Sequence, residues 1–117
     1  MELTVRVDIG DDWAVATVHG ELDMTTAPRL REQVVDIVIG GQPHVVLDLQ
    51  GVDFIDSTGL GVLVGLLKRA RTHGGDLRLV SSRANLRKAL ELTSLEAALP
   101  AYDTVEAAKG AHRAARG

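Results

Sequence analysis

Residues 44–67 read HVVLDLQGVDFIDSTGLGVLVGLL, and the fold depends on how this stretch divides. Its first six residues, HVVLDL, are a short Val/Leu-rich run, the pattern of a buried strand. From residue 57 the spacing changes. Leu60, Leu63, Val64 and Leu67 recur at helical intervals, with Val62 and Leu66 broadening the stripe, so a largely buried helix follows. Residues 50–56 read as the connection. Ser57 or Asp56 caps the helix, because a short oxygen-bearing side chain there can accept from the free N–H groups of the first turn. Lys68, Arg69 and Arg71 sit in its last turn, where cations complement the helix dipole, and Gly74-Gly75 ends it.

The same logic extends to both sides. Leu3, Val5, Val7 and Ile9 alternate with Thr4, Arg6 and Asp8, which predicts a strand with one buried face. Gly10-Asp11-Asp12 is a turn, and residues 13–18 are a second strand, ended by Gly20 and closing a hairpin. Ala27, Leu30, Val34, Ile37 and Val38 mark a helix with Pro28 in its first turn and Gly40-Gly41 as its stop. Residues 76–80 are a further strand. Ser82 is the expected cap of a helix that buries Leu86, Ala89 and Leu90. Residues 99–102 form a short last strand, and Asp103 or Thr104 caps a final helix through Val105, Ala108 and Ala111–His112. A hairpin followed by α/β alternation predicts a mixed sheet with helices mainly on one face. One domain spans residues 1–117, with disorder expected in its last few residues.

Composition removes whole classes of chemistry. The chain has 117 residues, enough for a single core, and no cysteine, so disulfides, thiol nucleophiles and thiolate metal sites are excluded. One Trp, one Tyr and one Phe are few for stacking nucleic-acid bases, and a net charge of −3 argues against coating DNA. No segment approaches the roughly 20 apolar residues of a membrane span, and residues 1–6 lack a signal-peptide pattern, so a cytoplasmic location is expected. The modest total hides a split: residues 1–57 carry net −8 and residues 58–117 net +5.

Motifs narrow the choice further. Gly59, Gly61 and Gly65 approximate a dinucleotide fingerprint, but the third glycine falls one residue late and the run lies inside the helix. The structural reading is that Gly61 and Gly65 share a helix face that packs closely on a neighbour. No phosphate-loop sequence or nucleophile elbow occurs. His19, His44, His73 and His112 share no ligand spacing, so no metal site is expected. Asp56-Ser57-Thr58-Gly59-Leu60-Gly61 differs from these in presenting a hydroxyl at a helix N-terminus among small residues. It is either an ordinary cap or an acceptor for phosphate, which the helix N-terminus tolerates.

These residues also carry a family resemblance. Residues 54–62, FIDSTGLGV, resemble the phosphorylation-site signature of bacterial anti-sigma factor antagonists, small STAS-domain proteins. Gly20-Glu21-Leu22-Asp23 with Ala27-Pro28-Arg29-Leu30 is similar to that family's second signature. Residues 45–49, 74–80 and 90–95 resemble its central strand and later blocks, in order and spacing. The resemblance implies the STAS fold: a mixed sheet of four to five strands with about four helices, mainly covering one face. It implies a partner-switching protein that is no enzyme and needs no cofactor. Unphosphorylated, it binds an anti-sigma factor that is also a serine kinase, and so frees a sigma factor. Phosphorylation at Ser57, with Thr58 the weaker candidate, abolishes binding, and a PP2C-type phosphatase resets it. Asp23, Asp56, Ser57, Thr58, Gly59, Leu60 and Gly61 form the implied switch surface. Asp23 and Asp56 also have plain readings as helix-start acids. A monomer is implied, without direct nucleic-acid or membrane contact. The alternatives are a STAS accessory subunit of a membrane transporter or sensory complex, and a nucleotide-binding protein.

Overall fold

The computed structural model describes residues 2–110. The elements in chain order are β1 (Leu3–Ile9), β2 (Ala14–Leu22), α1 (Ala27–Ile39), β3 (His44–Ile55), α2 (Ser57–Thr72), β4 (Asp76–Val80), α3 (Ala84–Leu92), β5 (Ala101–Tyr102) and α4 (Val105–Gly110). They build one five-stranded sheet in the order β1-β2-β3-β4-β5. The β1–β2 hairpin is antiparallel, and the remaining pairs are parallel. The mixed sheet and four helices are those expected.

Alternation along the strands sorts the side chains into two cores. Val45, Leu47 and Leu49 of β3 and Leu77 and Leu79 of β4 join the main core with Leu30 and Val34 of α1, Leu63 and Leu66 of α2, and Leu86 and Leu90 of α3. Val46 and Val80 point the other way, into a smaller cluster with Ala108 of α4, Trp13 and Tyr102. Three helices thus cover one face and α4 covers part of the other.

Four boundaries differ from the sequence reading, each for a physical reason. Gly20 does not end β2. It sits at φ +117° beside a register shift, and a side chain there would collide with the Glu2 carbonyl. The strand bends at this bulge and runs on to Leu22. β3 likewise continues to Ile55, because Gly51, Val52, Phe54 and Ile55 pair with the bulged end of β2. The expected seven-residue connection shrinks to Asp56 alone. Ser82 is exposed and does not cap α3. Arg83 holds the cap position, and its N–H donates to Oγ of buried Ser81 at 3.1 Å. The last strand is only Ala101–Tyr102. Thr104, rather than Asp103, caps α4, accepting from Ala107 N–H at 3.0 Å. Ala111 and His112 lie outside the described residues.

One buried ionic cluster ties α4 to the sheet. Asp76 and Arg78 are 2% and 3% exposed. Arg78 Nε lies 3.3 Å from Asp76 Oδ2, its Nη1 donates to the Ala108 carbonyl at 2.6 Å, and its guanidinium stacks 4.8 Å from the Trp13 ring centre. Arg71 approaches the other Asp76 oxygen at 3.6 Å. Removing one member of a buried pair leaves the other charge desolvated. Asp76→Ala should therefore cost about 3 kcal/mol of stability in urea unfolding.

Candidate functional site

Parallel pairing of β2 and β3 beyond the bulge ends at the pair Leu22–Ile55, where two loops meet. One is the turn from β2 into α1, and the other is the single residue from β3 into α2. Asp56 joins them. Its N–H donates to the Leu22 carbonyl at 3.2 Å. Its Oδ1 accepts from Gly59 N–H at 2.9 Å, capping α2, and its Oδ2 accepts from Met24 N–H at 3.2 Å. Asp56 is thus the cap, and Ser57 is not. Ser57 is the first residue of the helix, exposed, and its hydroxyl has no hydrogen-bond partner among the described residues. Thr58 beside it is also exposed and unpartnered.

Asp23 shapes the opposite loop. Its Oδ1 accepts from Thr25 Oγ1 at 2.7 Å, Thr25 N–H at 2.9 Å and Thr26 N–H at 3.1 Å. Thr26 Oγ1 in turn donates to the Glu21 carbonyl at 2.7 Å. The carboxylate therefore organises the turn before α1. Thr26, the residue in the cap position, makes no side-chain cap bond. The Thr25 hydroxyl, helped by the Thr25 and Thr26 amides and opposed by desolvation, holds the Asp23 carboxyl below its ordinary 3.8.

Of the predicted switch residues, Asp23, Asp56, Ser57, Thr58, Gly59, Leu60 and Gly61 all gather at this end of the sheet. The glycines divide sharply. Gly59 is buried, and a Cβ there would lie 2.7 Å from the Leu22 carbonyl oxygen and 2.9 Å from Ile55 Cγ1. Gly61 and Gly65 are exposed, with nothing within 4 Å of an added Cβ. The expectation that these two let α2 approach a neighbour is overturned. The close approach belongs to Gly59, the third residue of α2, because the helix start is pressed against the end of β2.

Two neighbours of the site are not among its predicted residues; Phe54 enters the sequence reading only as the first residue of the motif. Met24, 70% exposed, and Phe54, 48% exposed, are large apolar side chains left in water beside Asp56. The available signal was an apolar residue inside a polar turn and an aromatic two residues before the cap. Asp53 and Asn85 also matter, as supports. Arg83 Nη2 lies 3.4 Å from Asp53 Oδ1, Arg83 Nε donates to the Gln50 carbonyl at 2.7 Å, and Asn85 Nδ2 donates to the Asp53 carbonyl at 3.2 Å. The start of α3 thereby braces the extended end of β3.

The histidines play structural parts. The His19 ring packs over Gly51, His44 meets Trp13 edge to face at 5.5 Å, and His73 Nδ1 lies 3.0 Å from the Arg69 carbonyl at the end of α2. His112 is outside the described residues. No cluster of three potential metal ligands occurs among the described residues, and none of their helices is long and apolar enough to cross a membrane.

This arrangement has relatives. The model of the STAS domain matches residues 3–108. The chain belongs to the STAS-domain family. An anti-sigma-B factor antagonist of Bacillus subtilis (strain 168) is 33% identical over 96 residues, covering 82% of this chain and 87% of that one. An anti-sigma-B factor antagonist of Staphylococcus epidermidis is 32% identical over 96 residues, covering 82% and 89%. The crystal structure of an anti-sigma factor antagonist from Mycobacterium paratuberculosis superposes with a TM-score of 0.82 at 32% identity, covering 92% of this STAS chain and 91% of that one.

Two outcomes test the geometry of this STAS site. Gly59→Ala should destabilise by about 1–3 kcal/mol through overpacking. Gly61→Ala and Gly65→Ala should each stabilise by about 0.5–1 kcal/mol, since helix glycine there has only an entropic cost; denaturant unfolding reads all three. Separately, an NMR titration of Asp23 should give a midpoint below 3.8. Because the folded pKa is lowered, the turn's contribution is present above the unfolded value and is lost as pH falls through the folded one. Thr25→Ala should move the midpoint up.

Proposed function

We propose that this STAS protein is an anti-sigma factor antagonist whose binding is switched by phosphorylation of Ser57. The observation that carries the reading is the division of labour at the start of α2. Asp56 does the capping, so the Ser57 hydroxyl has no structural duty and stands free in solvent. A kinase can therefore orient it for in-line attack on the γ-phosphate of ATP without breaking any contact of the fold. The protein is the substrate of that chemistry and not its catalyst.

The same geometry explains how a phosphate could act. The Ser57 and Thr58 N–H groups at the head of α2 have no acceptor among the described residues. Together with the positive end of the helix dipole they accommodate a phosphoryl group locally. The folded state is spared, and the change falls on whatever docks there. Met24, whose N–H bonds to Asp56, and Phe54, two residues before Asp56, are exposed and offer apolar contact to a partner. Adding about −1.5 to −2 charge at Ser57, next to Asp56, introduces desolvation cost and repulsion into that contact. The names of the relatives supply the partner class: an anti-sigma factor, here read as the serine kinase itself, with a PP2C-type phosphatase restoring the free hydroxyl. Thr58 is the secondary acceptor.

The reading is tested by incubating the protein with its anti-sigma factor and ATP and mapping the modified residue by mass spectrometry. Wild type should gain one phosphoryl group at Ser57. Ser57→Ala should gain none, bind the anti-sigma factor as unmodified wild type does, and resist ATP-driven release. Ser57→Asp should bind at least about tenfold more weakly. Amide shifts on phosphorylation should stay within the two loops and the first turn of α2; shifts throughout the sheet would refute an interface switch. Full modification of Ser57→Ala would move the acceptor elsewhere.

A further inference from the structure

The outer edge of β1 is a row of backbone groups with a definite pattern. Gly10 N–H donates to the Trp13 carbonyl at 2.9 Å, and Glu21 N–H to the Glu2 carbonyl at 3.4 Å. Both pairs lie in the register that sets Leu3 opposite Gly20 and Ile9 opposite Ala14. Even-numbered residues of β1 therefore exchange bonds with β2, and Val5, Val7 and Ile9 turn their N–H and C=O outward. At Leu3 the edge is already closed, because Arg29 Nη1 donates to its carbonyl at 3.1 Å. From Val5 to Ile9 it is open. On the side shared with the main core, Val7 and Ile9 remain 37% and 63% exposed. On the other side stand Arg6 and Asp8, whose side chains make no ion pair or hydrogen bond among the described residues.

We propose that this edge pairs antiparallel with β1 of a second copy of the chain, about a two-fold axis at Val7. Charge complementarity selects both occupant and register. The outward groups allow symmetric pairings centred on any of residues 5 to 9. Centring on Arg6 sets arginine against arginine, and centring on Asp8 sets aspartate against aspartate, both unfavourable. Centring on Val5 sets Arg6 against Thr4, and centring on Ile9 sets Asp8 against Gly10. Only the register centred on Val7 sets Arg6 opposite the other copy's Asp8, and does so twice. It also makes Val5 and Ile9 cross-strand neighbours on the core side and pairs Val7 with itself, covering the exposed Val7 and Ile9 of this edge.

The helices permit it. α1 packs on α2, β2 and β3, so the two α1 helices lie over strands about 14 Å apart across the axis, wider than the 8–10 Å at which helices pack. The switch site is untouched. Val7 sits opposite Ala16, and Leu22 at the site end is six residues further along β2, about 20 Å away. Each copy presents its own Ser57, at opposite ends of a ten-stranded sheet, so the dimer would be a bivalent ligand for its partner.

Sedimentation velocity of the unphosphorylated protein, from micromolar to millimolar concentration at low salt, tests the proposal. Wild type should show a concentration-dependent monomer–dimer equilibrium that weakens with added salt. Arg6→Asp and Asp8→Arg should each weaken it at least about tenfold, and the combined Arg6→Asp, Asp8→Arg variant should restore it. Far-UV circular dichroism and thermal unfolding confirm that each variant is folded. A monomer at every concentration overturns the proposal. A dimer indifferent to either single reversal, or not restored by the combined change, overturns the edge and register assigned here.

Discussion

Everything distinctive about this molecule depends on β2 and β3 continuing to pair after the bulge at Gly20. Two extra turns of the ladder carry the chain to Leu22 and Ile55. Only there can one residue, Asp56, connect strand to helix. The short connection leaves α2 no freedom in its starting position. Its first turn is set against the Leu22 carbonyl, which is why Gly59 must lack a side chain. The Asp56 carboxylate then closes the arrangement, one oxygen on α2 and the other on the β2–α1 turn. Two loops that are 32 residues apart in sequence are held as one surface.

That rigidity bears on how the proposed acceptor could be modified while the chain stays folded. A serine that capped its own helix would have its hydroxyl engaged by the backbone. Here the cap is an aspartate and the unengaged hydroxyl is its neighbour, so the capping duty and the proposed acceptor sit on adjacent residues. The surrounding supports follow the same division. Asp23 spends its acceptor capacity on its own turn, and Arg83 and Asn85 brace β3 from behind. Met24, Phe54, Ser57 and Thr58 remain facing solvent.

The charge asymmetry of the sequence is redistributed by folding. Basic residues of the second half meet acidic residues of both halves: Arg83 with Asp53 from the first, and Arg87 with Asp103 from its own. Such exposed pairs contribute little energy. Burial acts differently where the Asp76–Arg78 pair and Trp13 fix α4 on the sheet.

Most of the fold was legible in the sequence because it rests on local periodicity. Alternation marked β1, the helical stripes of α1 and α2 marked their buried faces, and HVVLDL marked the central strand. The exposed hydroxyl at the start of α2 was legible too, since a hydroxyl among small residues at a helix start has a local signature. What the sequence left open were choices made by distant partners. Whether Ser57 or Asp56 caps α2 depends on where Met24 and Gly59 lie. Whether Gly59 or Gly61 and Gly65 packs closely depends on the Leu22 carbonyl. The true lengths of β2 and β3 depend on each other, because strand pairing past a bulge is a non-local bond that neither strand's own pattern reveals. Periodicity determined which residues form elements and which faces are buried; tertiary contact alone decided which oxygen is engaged and which hydroxyl is free.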